Sequence, residues 1–496
     1  MDYCSTREGN KLFTAAETIS MGLAPDGGLF VPAGPWPQIS LDNLIDKGYF
    51  ERAAAVISPF LERFSAAEIN SSLQKAYGTG FSHRGIAPLH LLAKGLFSLE
   101  LWHGPTSAFK DLALQFLPHL LRKAKEKRGD GSTAVILTAT SGDTGKAALA
   151  GFCDLPGTKV IVFYPLEGVS EIQRRQMITQ KGKNVHVVAV RGNFDHAQAG
   201  VKEMLTDGAL AGRMAAGGLK FSSANSINWG RLLPQMVYYF SAYLDLRRDG
   251  HIEPGERVNF VVPTGNFGNI LAGFYASLMG LPVHRLICAA NRNHVLTDFF
   301  REGCYNRKRP FYRTLSPSMD ILVSSNLERL LFELSDRDPA KVGSWMQALR
   351  ERGFYQIDPA LRRALAAIFW SDYADDEETV AAISKSYRQY RYLIDPHTAV
   401  ALSVYEKYRA ATGDQTATVI ASTASPFKFA ESVVRALLPP ERAAGHSALG
   451  MMPLLAETTG LDIPAPLVDL DLQPVRHTGV VDRPGMREEV LGYLDL

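Results

Sequence analysis

Six short β-branched runs limit what this chain can fold into: 134–138, 159–164, 185–190, 258–262, 285–290 and 417–421. Helical stretches of a dozen residues or more separate them from about residue 95 onward. The runs are apolar at successive positions, so both faces of each strand need cover. A parallel sheet flanked by helices provides it, and the expected fold class is α/β. A chain of 496 residues is too long for one core, so several domains are expected. We place an N-terminal domain at 1–90, an α/β domain at 91–250 and a second at 251–496. Helical patterning at 41–61 and 66–77, closed by Gly78-Thr79-Gly80, belongs to the first. The helical stretch 232–246 would carry the crossover between the α/β units. Residues 304–318 read as a loop, 360–410 as helical, and 440–496 as a tail folded onto the body.

Ligands of open α/β sheets sit beyond the carboxyl ends of strands. The first run leads into Thr140-Ser141-Gly142-Asp143-Thr144-Gly145 and then a helix. Hydroxyls and free N–H groups at a helix start make an anion cradle, although Asp143 could equally be a capping acid. The 258–262 run leads into Pro263-Thr264-Gly265-Asn266-Phe267-Gly268-Asn269. Its glycines would let the backbone approach an anion, or simply turn the strand into a helix. Neither GxxxxGK[ST] nor GxGxxG is present there, which sets aside a Walker-type site and an NAD enzyme. Between them, residues 222–231 pack hydroxyls, amides and Arg231 together. A guanidinium there could hold phosphate bidentately or lie on a capped surface turn. After the last run, Ser422-Thr423-Ala424-Ser425 offers hydroxyls for a ring nitrogen or a helix cap.

Lys110 follows Gly104-Pro105-Thr106 and precedes a helical pattern. By itself the stretch is a helix entry with a solvated lysine. Together, a lysine, an anion cradle and a hydroxyl suggest pyridoxal phosphate. Its aldehyde forms a Schiff base with lysine, its phosphate needs N–H donors, and its ring nitrogen needs a partner. No metal cluster or hydrolase nucleophile elbow competes. Fifty-three basic against fifty-one acidic side chains give no support to a nucleic-acid or acidic-membrane partner. The longest nearly uncharged stretch, 269–283, is about 15 residues, short of the ~20 a membrane span needs. The N-terminus is too polar for a secretory signal. Cys4, Cys153, Cys288 and Cys304 form no CxxC pair, so a reducing cytoplasm is expected.

His103–Asp111 resembles the cofactor-lysine motif of the threonine synthase family. Ser141-Gly142-Asp143-Thr144-Gly145 and Gly265-Asn266-Phe267-Gly268-Asn269 resemble its two further signatures. Similar matches occur at 22–29, 316–321, 395–400 and 425–429. The resemblance implies the fold-type II pyridoxal-phosphate architecture, with two α/β domains, the cofactor between them and an N-terminal domain. It also implies conversion of O-phospho-L-homoserine and water to L-threonine and phosphate; a monomer or homodimer acting on a small molecule is expected. Lys110 would be the Schiff-base lysine. Gly265, Asn266, Phe267, Gly268 and Asn269 would cradle the cofactor phosphate, and Thr423 would partner the ring nitrogen. Ser141, Asp143 and Thr144 would surround the substrate carboxylate, while Asn225, Ser226 and Arg231 would hold its phosphate. The chain departs from the family pattern at Glu8, His196 and His294. A phospholyase yielding 2-oxobutyrate, or a silent homologue that only binds, are the competing readings.

Overall fold

The computed structural model describes every residue except Ser141, and all side chains but those of Ser141 and Asp195. In chain order its strands are β1 (Tyr3–Ser5), β2 (Phe30–Pro32), β3 (Leu89–Ala93), β4 (Leu96–Glu100), β5 (Thr133–Ala139), β6 (Thr158–Pro165), β7 (Val185–Val190) and β8 (Leu219–Ser222). They continue with β9 (Val258–Pro263), β10 (Val283–Ala290), β11 (Cys304–Asn306), β12 (Phe354–Gln356), β13 (Phe369–Tyr373), β14 (Thr418–Ser422) and β15 (Gly479–Val481). The six expected runs are β5, β6, β7, β9, β10 and β14. One sheet has the order β15-β7-β6-β5-β8, parallel throughout. The other has the order β13-β10-β9-β14-β4-β3, parallel except at its β3–β4 edge. Every residue of β9 and β14 is buried, as strands covered on both faces must be.

The sheets do not follow the sequence boundaries drawn at residues 90 and 250. β4 lies between β14 and β3, in the sheet of β9 and β10. β15, near the C-terminus, pairs with β7 in the other sheet. The chain therefore leaves one sheet at β4, passes through Lys110 and the helices Asp111–Leu114 and Leu117–Lys127, and enters the other at β5. That crossing carries the lysine between the two units.

Other expectations are corrected locally. The 304–318 loop contains β11, which pairs antiparallel with β12. The helical 360–410 region is split by β13, which pairs with β10 at a sheet edge. The expected crossover interval also holds β8, ahead of the helix Gln235–Arg248. The 440–496 tail includes the helices Met451–Thr459 and Met486–Leu494. At the N-terminus, β1 and β2 form an antiparallel ribbon, with the helix Ala15–Met21 between them in the chain. The helix Ala66–Tyr77 lies where its pattern predicts, opened by a Ser65/Glu68 capping box. No helix is long and apolar enough among the described residues to cross a membrane.

Candidate active site

The Lys110 loop is fixed at both ends before the lysine is reached. At its start, His103 Nε2 lies 2.7 Å from Glu100 Oε2, and Trp102 Nε1 donates to Ser422 Oγ at 3.2 Å. The loop then runs antiparallel to the segment after β14. Leu101 N donates to Ser422 O (2.9 Å), Phe109 N to Thr423 O (2.8 Å) and Ser425 N to Ser107 O (3.1 Å). Backbone pairing thus brings buried Thr423 alongside Lys110. Asp111 turns back on the loop, accepting from Thr106 N at 2.8 Å and Thr106 Oγ1 at 2.7 Å. It closes the Gly-Pro-Thr turn instead of capping the helix. A Cβ on Gly104 would meet Asp111 Cβ at 2.5 Å, so the turn needs glycine there.

Lys110 is partly exposed as a residue, yet its amine sits among protein groups that desolvate it. Burial pushes the amine down to about 8; Arg231 and Lys428 act in the same direction, and Asp143 opposes them. These three charges, distant in sequence, thereby act on one nitrogen.

The loop after β9 is an anion cradle in its geometry. Phe267 adopts φ 65°, turning the chain into the helix Gly268–Leu278, whose first N–H groups have no intrahelical acceptor. The loop carbonyls are tied back: Ser324 Oγ donates to Gly265 O at 2.7 Å and Asn326 Nδ2 to Asn266 O at 2.9 Å. A Cβ on Gly268 would find only the amide nitrogens of Asn326 and Gln235, at 3.5 and 3.9 Å. Asn269 Oδ1 accepts from the hydroxyls of Tyr238 and Tyr239, both at 2.7 Å. Its Nδ2 is left buried without a partner among the described residues. A helix start bordered by amide nitrogens, with the buried Asn269 Nδ2 unused, suits a phosphate. Gly265 has a different reason to be glycine: a Cβ there would lie 2.7 Å from Ser318 O.

On the other side of Lys110, the helix Asp143–Gly151 starts after Gly142, with Thr144 partly exposed in its first turn. Ser141 lies outside the described residues. The Asp143 carboxylate is already engaged, by Lys428 Nζ and Gln173 Nε2 on Oδ1 (2.9 and 2.8 Å) and by Ser318 Oγ on Oδ2 (3.1 Å). Burial alone would raise this carboxyl, but Lys428 and Lys110 hold it well below the usual carboxylate range. A second carboxylate would be repelled by such an ion, so Asp143 is an anchor for cations.

Arg231 is 4% exposed; Nη1 donates to Ala224 O at 2.8 Å, and Nε has no partner among the described residues. Burial pushes it down to about 10, with no carboxylate offsetting that cost. A buried guanidinium with a spare donor is a site waiting for an anion. Asn225 and Ser226 lie partly exposed in the loop before it. Gln235 links this group to the cradle, since its Nε2 donates to Arg231 O at 2.7 Å and borders the space over Gly268. Of the departures, His196 completes a capping box with Asn193, and His294 stacks on Tyr373 beside Asp298. Spacing alone did not reveal Lys428, Gln173, Asn326 or Gln235. Lys428 was visible only as a letter in the 425–429 match.

Residues 85–423 match the family model described as pyridoxal-phosphate dependent enzyme, and the two sheets have the fold-type II arrangement of that class. The cofactor is pyridoxal phosphate, and the donor set around Gly268 fits it. Within the class, the chain belongs to the threonine synthase family. Residues 2–77 match the threonine synthase N-terminus and 398–454 its C-terminal part. The threonine synthase of Pseudomonas aeruginosa is 40% identical over 88% of this chain and 90% of its own length. Human threonine synthase-like 1 is 42% identical over 88% of this chain, which spans 59% of that relative. The crystal structure of pyridoxal-phosphate-bound threonine synthase from Brucella melitensis covers 100% of both chains, with a TM-score of 0.88 and 36% identity.

Proposed function

We propose that this chain converts O-phospho-L-homoserine and water to L-threonine and phosphate. The observation carrying this reading is Arg231, a buried guanidinium whose Nε has no partner among the described residues and whose charge acts on the Lys110 amine. A substrate with an amine at one end and a phosphate at the other matches that pair.

The cofactor, when bound, supplies an electron sink that acidifies the carbon bearing the substrate amine. Lys110 would hold the cofactor, and its amine would take and return the proton at that carbon. An amine pushed down to about 8 is suited to both duties near neutral pH. Asn269, the helix start at Gly268 and the amides of Asn326 and Gln235 hold the cofactor phosphate. Thr423 would offer the ring nitrogen a neutral hydroxyl. Arg231, with Asn225 and Ser226, binds the departing phosphate and stabilises its charge. Thr144 and the first N–H groups of its helix would receive the substrate carboxylate. Asp143 contributes indirectly, by anchoring cations.

Incubation with O-phospho-L-homoserine tests the reading. Threonine and phosphate in equal amounts are expected; 2-oxobutyrate and ammonia would mark a phospholyase, and no turnover a binding homologue. Lys110→Ala should lose both the visible absorbance of the bound cofactor and turnover. Survival of both would sink the assignment of the lysine.

A further inference from the structure

Lys428 has no place in that scheme, yet it is the most thoroughly buried lysine near the site. It stands in the short turn Pro426–Phe429 after β14, and its side chain is 0% exposed. Its ammonium makes two contacts across the molecule. One is the ion pair to Asp143 Oδ1 at 2.9 Å; the other is a hydrogen bond to Thr106 O at 2.8 Å. Thr106 belongs to the Lys110 loop, leaving β4 of one sheet, and Asp143 opens the helix after β5 of the other. Lys428 therefore joins both sheets at the point where the cofactor lysine lies. Burying an ion pair costs desolvation that its mutual attraction rarely repays in stability alone.

We propose that the Lys428–Asp143 ion pair is a positioning and charge-balancing device for Lys110, clamping its loop to the helix start after β5 and setting how readily the Lys110 nitrogen gives up its proton. The inference rests on the reading of Lys110 as the cofactor lysine. Asp143 attracts a proton to that nitrogen, and Lys428 opposes the attraction while keeping Asp143 in place. The other charged groups around it are accounted for. Arg231 comes from the helix Trp229–Leu232 and repels a proton on Lys110. Lys146, on the same helix as Asp143, is tied to Gln180 Oε1 at 2.6 Å. Asp111 is turned onto Thr106. His397 stands behind Ser318, accepting Ser318 N at 3.2 Å with Asp395 2.6 Å from its other nitrogen. Ser318 in turn donates to Asp143 at 3.1 Å, so the pair is braced from a third side.

A double-mutant cycle with pyridoxal phosphate bound decides it. The readout is the pH midpoint at which the visible band of the Lys110-bound cofactor changes. Asp143→Asn leaves Lys428 uncompensated, so the midpoint should fall by roughly one pH unit or more; Lys428→Gln leaves Asp143 uncompensated, so it should rise by a similar amount. Asp143→Asn/Lys428→Gln should return near the wild-type midpoint, and Lys428→Arg, which keeps the charge, should match it. The single variants shift in opposite directions, so either one that folds is decisive. Equal midpoints in all these proteins would overturn the inference, leaving a purely structural pair. A wild-type protein with no visible band at all would overturn the assignment of Lys110 itself.

Discussion

Asp111 shows how much one residue in a legible motif can conceal. The His103–Asp111 stretch was recognisable, but the partner of Asp111 was not, because a turn that folds back on itself leaves no periodicity. Burial raises its carboxyl to about 6, against two hydrogen bonds from Thr106 that favour the ion. The unfolded chain ionises this group near 3.9. Between those values the folded state holds a proton that the unfolded state has lost, so stability falls as pH rises from about 4 to about 6. At ~1.4 kcal/mol per unit the change is about 3 kcal/mol. Asp111→Asn removes this titration, so the wild type should lose about that much stability relative to the variant between pH 4 and pH 7. Urea unfolding of both proteins at the two pH values measures it, and a constant difference would show that Asp111 ionises as freely as in water. Arg231 makes a second prediction at this scale. Charge-assisted hydrogen bonds contribute about 1.5–3 kcal/mol, so Arg231→Met should raise KM for O-phosphohomoserine roughly ten- to a hundredfold. The midpoint of cofactor binding should move little. The arginine is plain in the sequence; that it is buried without a carboxylate partner depends on packing that only the fold brings together.

Among elements, the strands that stood out were those buried on both faces, because only they show unbroken apolar runs. β13 was hidden for the opposite reason. Phe369-Trp370-Ser371-Asp372-Tyr373 alternates exposure at a sheet edge and is wedged between the helices Pro359–Ile368 and Asp376–Tyr390. β4 ends in a glutamate and is only five residues long, so the sequence did not show that the lysine loop hangs from the sheet of β9 and β14. The helices carrying Lys110 and Asp143 meet at a contact that depends on one small residue. A Cβ on Gly151 would sit 1.9 Å from Leu114 O, at the end of the helix Asp111–Leu114. Gly151→Ala must push these helices apart, and overpacking of this kind costs about 1–3 kcal/mol, sometimes more. We expect a lower Tm together with weaker cofactor retention, measured by visible absorbance after gel filtration. A lower Tm with full retention would show that the shift stops short of Lys110.

At the scale of the whole molecule, the C-terminal segment ties the two sheets together from outside. It leaves the helix Met451–Thr459, packed with the helix Ala430–Leu437 that follows β14, and ends as β15 beside β7 and as a helix against Phe194–Thr206. On the way it crosses the helix Glu171–Ile178. Arg175 holds it there, donating to Leu470 O at 3.0 Å, Asp471 O at 2.6 Å and Gln473 O at 2.7 Å. The same helix presents Gln173 to Asp143, so the strap bears on the active-site side of the molecule through two residues of one helical turn. In sequence the segment is a Pro- and Leu-rich tail, and the bonds that fix it to Arg175 are made by backbone carbonyls that any residue possesses. Arg175→Met should release the strap between residues 461 and 478, where Leu472 is already 75% exposed. Limited proteolysis should then cut this stretch several-fold faster than in the wild type, while the sheets stay folded, because open backbone is cleaved in proportion to its population. Loosening should also spread through Gln173, so the visible band of the bound cofactor should shift its pH midpoint in the direction expected for a weakened Asp143 anchor. Faster cleavage without any spectral change would confine the strap to holding the sheets together and separate it from the chemistry at Lys110.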